Sequence, residues 1–226
     1  MRSKFYKQVK EKVGEQYMEI PAAVQFLKDN TRSTFDETVE IHIALGVDPE
    51  KSDQMVRGTV VLPAGTPTQK RVAVISGDAA KQEEAKKAGA SVAGGEDLIA
   101  DIEKNGLADI DIVIATPDMM GKIAKVAKVL GPKGLMPNPR NGTVTPDVAT
   151  AVAELAAGKI SFKMDAQGNI HGSLAKASWD VAKMEQNVRA FVDAVRAVRP
   201  QNQRGEFMKK IVLKTSMSPA VRITIA

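Results

Sequence analysis

The sequence predicts a protein of mixed α/β and α+β class in which one domain is inserted into another. Strands that alternate apolar and polar residues occur only before about residue 65 and after about residue 158. Between them, nearly continuous apolar runs alternate with helical segments, which is typical of a parallel sheet covered on both faces. We therefore predict a discontinuous domain, residues 1–65 with 158–226, and an inserted domain, residues 66–157.

The first part of the outer domain is predicted to contain two helices and two strands. Residues 2–13 place apolar side chains at helical spacing, and Pro21 suits the first turn of a second helix. From Phe35 to Leu45 the period changes to two, which predicts a half-buried strand. A second strand is predicted over Arg57–Leu62, before the glycine and prolines of residues 63–67 break the pattern.

The second part of the outer domain returns to alternating strands. Lys159–Met164 and Ile170–Ala177 flank turn residues and predict a hairpin. Ser178 is a candidate cap for a long helix, and a last strand is predicted over Met208–Ser216. Together these elements predict an antiparallel sheet with helices, in a split βαβ-like arrangement.

The inserted domain is predicted to be Rossmann-like, with three layers. Short apolar strands are predicted at residues 71–75, 91–93 and 110–115, with helical segments between them. Further helices are predicted from Pro117 to Val129 and over residues 145–157. Strands that alternate with helices imply right-handed crossovers and a parallel sheet. The two chain crossings, near residues 63–67 and at 157–158, are the predicted hinge.

Composition excludes several classes of site. The 226 residues include no Cys and two His, which excludes disulfides, thiolate metal sites and a Cys nucleophile. No apolar run approaches the roughly twenty residues of a membrane span, and the N-terminus lacks the apolar segment of a signal peptide. We therefore expect a cytoplasmic protein with no cofactor, no metal, no membrane partner and no small-molecule substrate.

The basic excess lies outside the inserted domain. The chain has a net charge of +5, but residues 66–157 carry 11 Lys and Arg against 12 Asp and Glu. Residues 158–226 carry 12 basic against 5 acidic side chains. This distribution favours a polyanionic partner for the outer domain, although a modest basic balance is also common in ordinary proteins.

The outer sheet is predicted to have an open face of donors and cations. Alternation places these residues away from the apolar set: Thr38, Glu40, His42, Arg57, Thr59, Lys159, Ser161, Lys163, His171, Ser173, Lys210, Lys214 and Ser216. Lys ammoniums suit phosphates, and hydroxyls reach the 2′-OH, so the face fits RNA. The alternative is a sheet face that is polar because it borders water.

A long loop is predicted from Gly131 to Thr145, and we call it the signature loop. Its fifteen residues include three glycines, three prolines and two Asn, which excludes a regular helix or central strand. Long loops inside compact domains are often functional. A surface crossover stiffened by its prolines is the alternative.

Part of this loop carries a family resemblance. The run from Val129 to Pro139, Val-Leu-Gly-Pro-Lys-Gly-Leu-Met-Pro-Asn-Pro, resembles the signature of the ribosomal protein L-one family, found on the mobile side stalk of the large ribosomal subunit. Its signature residues are Gly131, Pro132, Lys133, Gly134, Pro137, Asn138 and Pro139. Further stretches resemble the same family in the same order, at residues 35–40, 48–54, 56–60, 115–118 and 215–219.

The resemblance implies a discontinuous RNA-binding domain with an inserted second domain. It implies binding to 23S rRNA, assistance in releasing deacylated tRNA from the exit site, and repression of the protein's own mRNA. Combined with the open face, it predicts these RNA-binding residues: Phe35, Thr38, Lys159, Ser161, Lys163, His171, Ser173, Lys176, Lys210, Lys214, Thr215, Ser216, Met217 and Ser218. Ser218 and Ala175 stand where the family usually has glycine, so contacts around them are expected to be longer or shifted.

Met217 is the sharpest of these predictions. Strand alternation places it with Ile211 and Leu213 in the core, which is the simpler interpretation. The strand is ending, however, and Ser218 with Pro219 is expected to turn the chain outward. We predict an exposed thioether beside Ser216, near the start of the first strand.

An enzyme is the competing hypothesis. Ser76-Gly77-Asp78 or the Gly131–Gly134 turn would cradle a phosphate, with Asp109, Asp111 and Asp118 as acid–base groups. The spacing argues against it. No Gly-x-Gly-x-x-Gly follows the first inserted strand, Lys133 precedes Gly rather than Ser or Thr, and no His or Cys is near in sequence.

Overall fold

The computed structural model describes residues 4–14, 16–68, 70–105, 110–203 and 205–224. The chain divides into two compact units, Met1–Pro67 with Gly158–Ala226 and Thr68–Ala157. The predicted mixture of helices and strands is confirmed. In chain order the elements are α1 Lys4–Val13, β1 Tyr17–Met18, α2 Ile20–Asp29, β2 Thr38–Leu45, β3 Arg57–Val61, β4 Val72–Ile75, α3 Ala79–Lys87, β5 Val92–Gly94, α4 Glu96–Asn105, β6 Ile112–Ala115, α5 Met120–Ile123, α6 Ala127–Leu130, α7 Val148–Ala156, β7 Lys159–Lys163, β8 Asn169–Lys176, α8 Val181–Ala197, β9 Met208–Thr215 and β10 Val221–Ile223.

The first unit contains a five-stranded sheet in the order β1-β10-β9-β2-β8. Strand β2 lies second from one edge and pairs antiparallel with both β8 and β9. Its alternation is regular: Val39, Ile41, Ile43 and Leu45 are buried, while the residues between them are half-buried. Helices α2 and α8 contribute Leu27 and Phe191 to the same apolar core.

The predicted hairpin is wrong. Strand β7 pairs with β3 in a separate two-stranded sheet, and β8 pairs with β2. The turn between them does exist, because Asp165 Oδ1 accepts hydrogen bonds from the amides of Gln167 at 2.9 Å and Asn169 at 2.7 Å. It redirects the chain from one sheet to another rather than folding it back on itself. Local alternation predicts a strand but not its partner.

Two further predictions for this unit are corrected. Met208–Thr215 is not the last strand, because β10 follows and pairs antiparallel with β9, and β1 pairs parallel with β10. Strands of two and three residues are too short to show a period. Ser178 does not cap α8, whose N-cap is Asp180. Instead the Ser178 hydroxyl donates to Asp36 Oδ2 at 2.8 Å.

The second unit is built on a parallel sheet in the order β5-β4-β6. Adjacent residues of β4 enter different clusters: Val74 packs with Val152 of α7, and Ile75 packs with Ile102 of α4. The sheet is therefore covered on both faces, as its continuous apolar strands predicted. The helix predicted from Pro117 to Val129 is interrupted. The 3-10 turns Pro117–Met119 and Ala124–Val126 alternate with α5 and α6.

Candidate nucleic-acid interface

The open face of the five-stranded sheet presents polar rows that run across three strands. Thr38 of β2 lies opposite Lys176 of β8, and His42 lies opposite His171. Glu40 lies between Ser173 of β8 and Lys214 of β9. Ser173, His171 and Lys210 are exposed, whereas Lys214 and Lys176 are half-buried. The structure thus brings most of the predicted open-face residues onto one surface.

Five of the predicted open-face residues lie elsewhere, on β3 and β7. Strand β7 contains three of the predicted RNA-binding residues: Ser161 and Lys163 are exposed, and Lys159 is half-buried. Among the described strands, β7 pairs only with β3. There Lys163 lies opposite Arg57, and Ser161 lies opposite Thr59. The prediction of a single open face containing both groups is therefore wrong, for the same reason as the hairpin. The polar residues of β3 and β7 form a separate surface in the same unit, which we call the second ribbon.

Residues 215–218 form a turn after β9, which we call the contact turn. The Ser218 amide donates to the Thr215 carbonyl at 3.2 Å, and Ser218 Oγ accepts from the Thr215 amide at 2.8 Å. The Thr38 amide donates to Ser216 Oγ at 3.2 Å, which joins the turn to the start of β2. Ser218 is half-buried, and its hydroxyl closes the turn from within.

Met217 projects from this turn with 64 % of its surface exposed, and the prediction that it leaves the core is confirmed. Phe35, on the segment that leads into β2, is 53 % exposed. Exposed apolar side chains are common on protein surfaces, and Tyr17 is 59 % exposed, so their exposure makes Met217 and Phe35 available to a partner but does not by itself indicate one. Thr215, in contrast, is fully buried. Its prediction as a direct RNA contact is wrong, since its position in the alternation matches that of Ile211 and Leu213.

A buried carboxylate supports the contact turn from below, and the sequence interpretation missed it. Glu37 is 2 % exposed and accepts hydrogen bonds from Ser33 Oγ at 2.5 Å and the Met217 amide at 3.1 Å. Burial by itself raises the pKa of Glu37, but hydrogen bonds, among them those from the Ser33 hydroxyl and the Met217 amide, outweigh it and lower the pKa below its ordinary value. The sequence feature that could have revealed Glu37 is its position: extended back from β2, the alternation predicts an apolar, buried residue there.

Lys176 is held at the edge of the same surface. Its Nζ donates to Thr38 Oγ1 at 3.0 Å and to the Asp36 carbonyl at 3.4 Å. The preceding Ala175 is fully buried, because β8 bulges opposite Val39 and Glu40 and turns two successive side chains inward. The expectation that Ala175 shifts an RNA contact is therefore wrong: its methyl group faces the core.

The signature loop is fastened to the second unit by its backbone. The Leu135 amide donates to the Leu130 carbonyl at 3.0 Å, and the Ala115 amide donates to the Thr143 carbonyl at 2.9 Å. Leu135 and Met136 pack against the cluster of β4, β6 and α4. Pro137 is buried, whereas these signature residues are exposed: Gly131, Pro132, Lys133, Gly134, Asn138 and Pro139. Gly134 has φ of 71°, which a residue with a side chain rarely adopts.

Two carboxylates named in the enzyme hypothesis have structural partners. Asp78 Oδ1 caps α3 by accepting from the Ala80 amide at 3.0 Å, and Asp111 Oδ2 accepts from the Arg71 amide at 2.9 Å. Asp109 lies outside the described residues. Across the described ranges, no group of three or more His, Asp or Glu is placed to hold a metal ion. None of the described helices combines the length and the apolar surface that a bilayer span requires.

The chain is similar to known proteins over almost its whole length. Residues 27–219 match the model of the ribosomal protein L1p/L10e family. A large ribosomal subunit protein uL1 from Mycolicibacterium vanbaalenii is 47 % identical over 98 % of this chain and 94 % of its own length. The protein of the same name from Chlorobaculum tepidum is 45 % identical, over 99 % and 96 %. The chain belongs to the ribosomal protein L1p/L10e family.

Proposed function

We propose that this protein is a structural component of the large ribosomal subunit and binds 23S rRNA through the first unit. The interface consists of Ser216, Met217 and Ser218 of the contact turn, Phe35, and the open face of β2, β8 and β9. The names of the relatives support the ribosomal role, and members of this family are structural proteins rather than enzymes.

One observation carries the assignment of the interface. Met217 and Phe35 are exposed apolar groups, yet the turn that presents Met217 is fixed by a buried carboxylate and by Ser216. An exposed side chain on a rigid base loses little conformational entropy on binding. Apolar and aromatic groups pack on bases and riboses of RNA while neighbouring hydroxyls reach the 2′-OH.

The cations of the open face add an electrostatic contribution. Lys176, Lys210 and Lys214 lie on the same sheet face, and lysines there neutralise phosphates without reading sequence. The exposed apolar pair and the serines then supply the dependence on RNA shape. The second ribbon, with Lys159, Ser161 and Lys163, extends the basic surface of the unit.

The experiment is a binding titration with two RNAs of equal length at fixed salt. One is a fragment of large-subunit rRNA that contains the side-stalk helices, and the other is an unrelated duplex. We expect the stalk fragment to bind at least 10³-fold more tightly, as specific nucleic-acid sites do on the order of 10³ and above. Equal affinities would reduce the proposal to nonspecific electrostatic binding.

The resemblance supports two finer roles within the same proposal. The bound protein helps the stalk release deacylated tRNA from the exit site, and the free protein represses translation of its own mRNA by using the same interface. Repression predicts that an operon mRNA fragment and the rRNA fragment compete for one site. Simultaneous binding of both would remove the repressor role and leave the ribosomal role untouched.

A further inference from the structure

Two histidines meet at the centre of the open face. His42 of β2 and His171 of β8 are register partners, and their Nδ1 atoms are 2.7 Å apart. At this distance one nitrogen must donate a proton and the other must accept it. The tautomers of the two rings are therefore tied to each other.

Asp165 determines which ring donates. His171 Nε2 lies 3.3 Å from Asp165 Oδ2, and hydrogen bonds led by the Asn169 amide lower the pKa of Asp165 to about 2. The carboxylate is thus ionised at neutral pH, and His171 Nε2 must carry the proton that it accepts. A neutral His171 then accepts at Nδ1, and His42 donates from its own Nδ1.

This arrangement leaves the other nitrogen of His42 without a proton. His42 Nε2 is buried, makes no hydrogen bond within the described part of the chain, and lies 3.6 Å from Glu40 Oε2. A proton added there would form an ion pair with Glu40. Burial first, and then the positive charge of Lys214, lower the pKa of His42, so His42 Nε2 is deprotonated at neutral pH.

Glu40 is shared between His42 and a lysine. Lys214 Nζ lies 2.9 Å from the same Glu40 Oε2. The charged and titratable groups around His42 come from three strands and a turn. Glu40 lies on the same strand, and Lys214 and Lys210 lie diagonally across on β9. His171 lies opposite on β8, hydrogen-bonded to Asp165 of the turn before that strand. An anion that attracts Lys214 would move a cation away from His42 and add a negative charge nearby. Both changes favour the protonated imidazole.

The geometry points to a proton-linked phosphate subsite formed by Lys214, His42 and His171. A phosphate of the RNA backbone binds Lys214, which then no longer pairs with Glu40. His42 takes up one proton from solvent at Nε2. The protonated ring then forms an ion pair with the Glu40 carboxylate in place of Lys214. This inference rests on the proposed function, because it places RNA on the open face. The pKa of His42 is then higher in the complex than in the free protein. Affinity rises as pH falls through the interval between those two values.

The test is the affinity of the full chain for the stalk rRNA fragment at pH 7.5, 6.5 and 5.5 and constant ionic strength. A one-unit rise in the pKa of His42 gives a total gain in affinity of about tenfold, which is complete once pH has fallen below the pKa of the free protein. His42→Asn is the matched variant, since its amide nitrogen can replace the Nδ1 donor but does not titrate. We expect this variant to lose the gain in affinity at lower pH, whatever its affinity at pH 7.5. Titration of the RNA itself is common to both proteins and cancels in the comparison.

Lys210→Gln is the control on the same face. It removes a cation without touching the histidine pair, so affinity should fall at every pH while the pH dependence stays. NMR titration of His42 in the wild-type protein, free and RNA-bound, gives the same answer without a variant that could unfold. An unchanged or lower pKa on binding overturns the inference, as does equal pH dependence in His42→Asn. Failure of the wild-type protein to bind at any pH would instead contradict the proposed function.

Discussion

The contact turn and the signature loop differ in which of their groups face outward. In the loop, backbone hydrogen bonds and Leu135, Met136 and Pro137 fasten the segment to its own unit. At the contact turn, the buried groups are polar, namely the Glu37 carboxylate and Thr215, and the apolar Met217 points outward. A stretch that is conspicuous in sequence can serve mainly to shape the chain, while a short and ordinary one presents side chains to a partner.

Removing the base of the contact turn is expected to have the largest effect. Glu37→Ala leaves the Met217 amide and the Ser33 hydroxyl without their buried acceptor. We expect the free energy of unfolding to fall by about 1–3 kcal/mol and RNA affinity to fall with it. Chemical denaturation and RNA titration measure the two quantities. Glu37→Gln is the control, because its amide oxygen keeps one acceptor and should restore part of both.

The pH dependence of stability tests the same buried carboxylate, Glu37. The fold lowers the pKa of Glu37 below its ordinary value of 4.5. Its contribution to stability is therefore complete above the unfolded pKa and is lost as pH falls through the folded pKa. Between pH 7 and pH 3, stability should decline less in Glu37→Gln than in the wild type. Parallel curves would show that folding does not lower the pKa of Glu37.

The lysines of the open face are expected to have a smaller effect that depends on salt. Lys210→Gln combined with Lys214→Gln removes two cations from one face. We expect the slope of log affinity against log salt to flatten by about one to two units. Binding isotherms at four salt concentrations give the slope. If the double variant keeps the wild-type slope, phosphates do not contact this face.

Removing the second unit is expected to change RNA affinity least. The ends of the first unit already meet, since the Leu62 amide donates to the Gly158 carbonyl at 3.1 Å and Gly158 packs against Gly65. A short Gly/Ser linker in place of residues 68–157 should leave a folded protein whose affinity is unchanged within about twofold. Circular dichroism checks the fold. A hundredfold loss with the fold retained would move the interface to the second unit.

Periodicity accounts for much of what the sequence predicted correctly. The alternation of β2 and the continuous apolar run of β4 each place the correct residues in the core. The same alternation contained signals that we did not use, for Glu37 and Thr215 both occupy buried positions in it. A polar residue at an apolar position of a strand indicates an internal support rather than a surface contact.

Strand pairing was the part that local patterns could not supply. The Asp165 turn and the two strands around it look like a hairpin over twenty residues, yet their partners, β3 and β2, lie about 100 residues earlier in the chain. Pairing over such distances depends on how whole faces pack, which no local period records. The same limit divided the predicted basic face into two surfaces.

Met217→Ala tests the central claim most directly, because it removes an exposed side chain from a rigid turn. Thermal melting and affinity for the stalk rRNA fragment are measured together at fixed salt. Met55→Ala is the control, as Met55 is also exposed, at 38 %, on another segment of the same unit. We predict an unchanged melting temperature and a loss of about 1–3 kcal/mol in binding for Met217→Ala, with neither change for Met55→Ala. A lower melting temperature with full RNA affinity would contradict the account and return Met217 to a structural role.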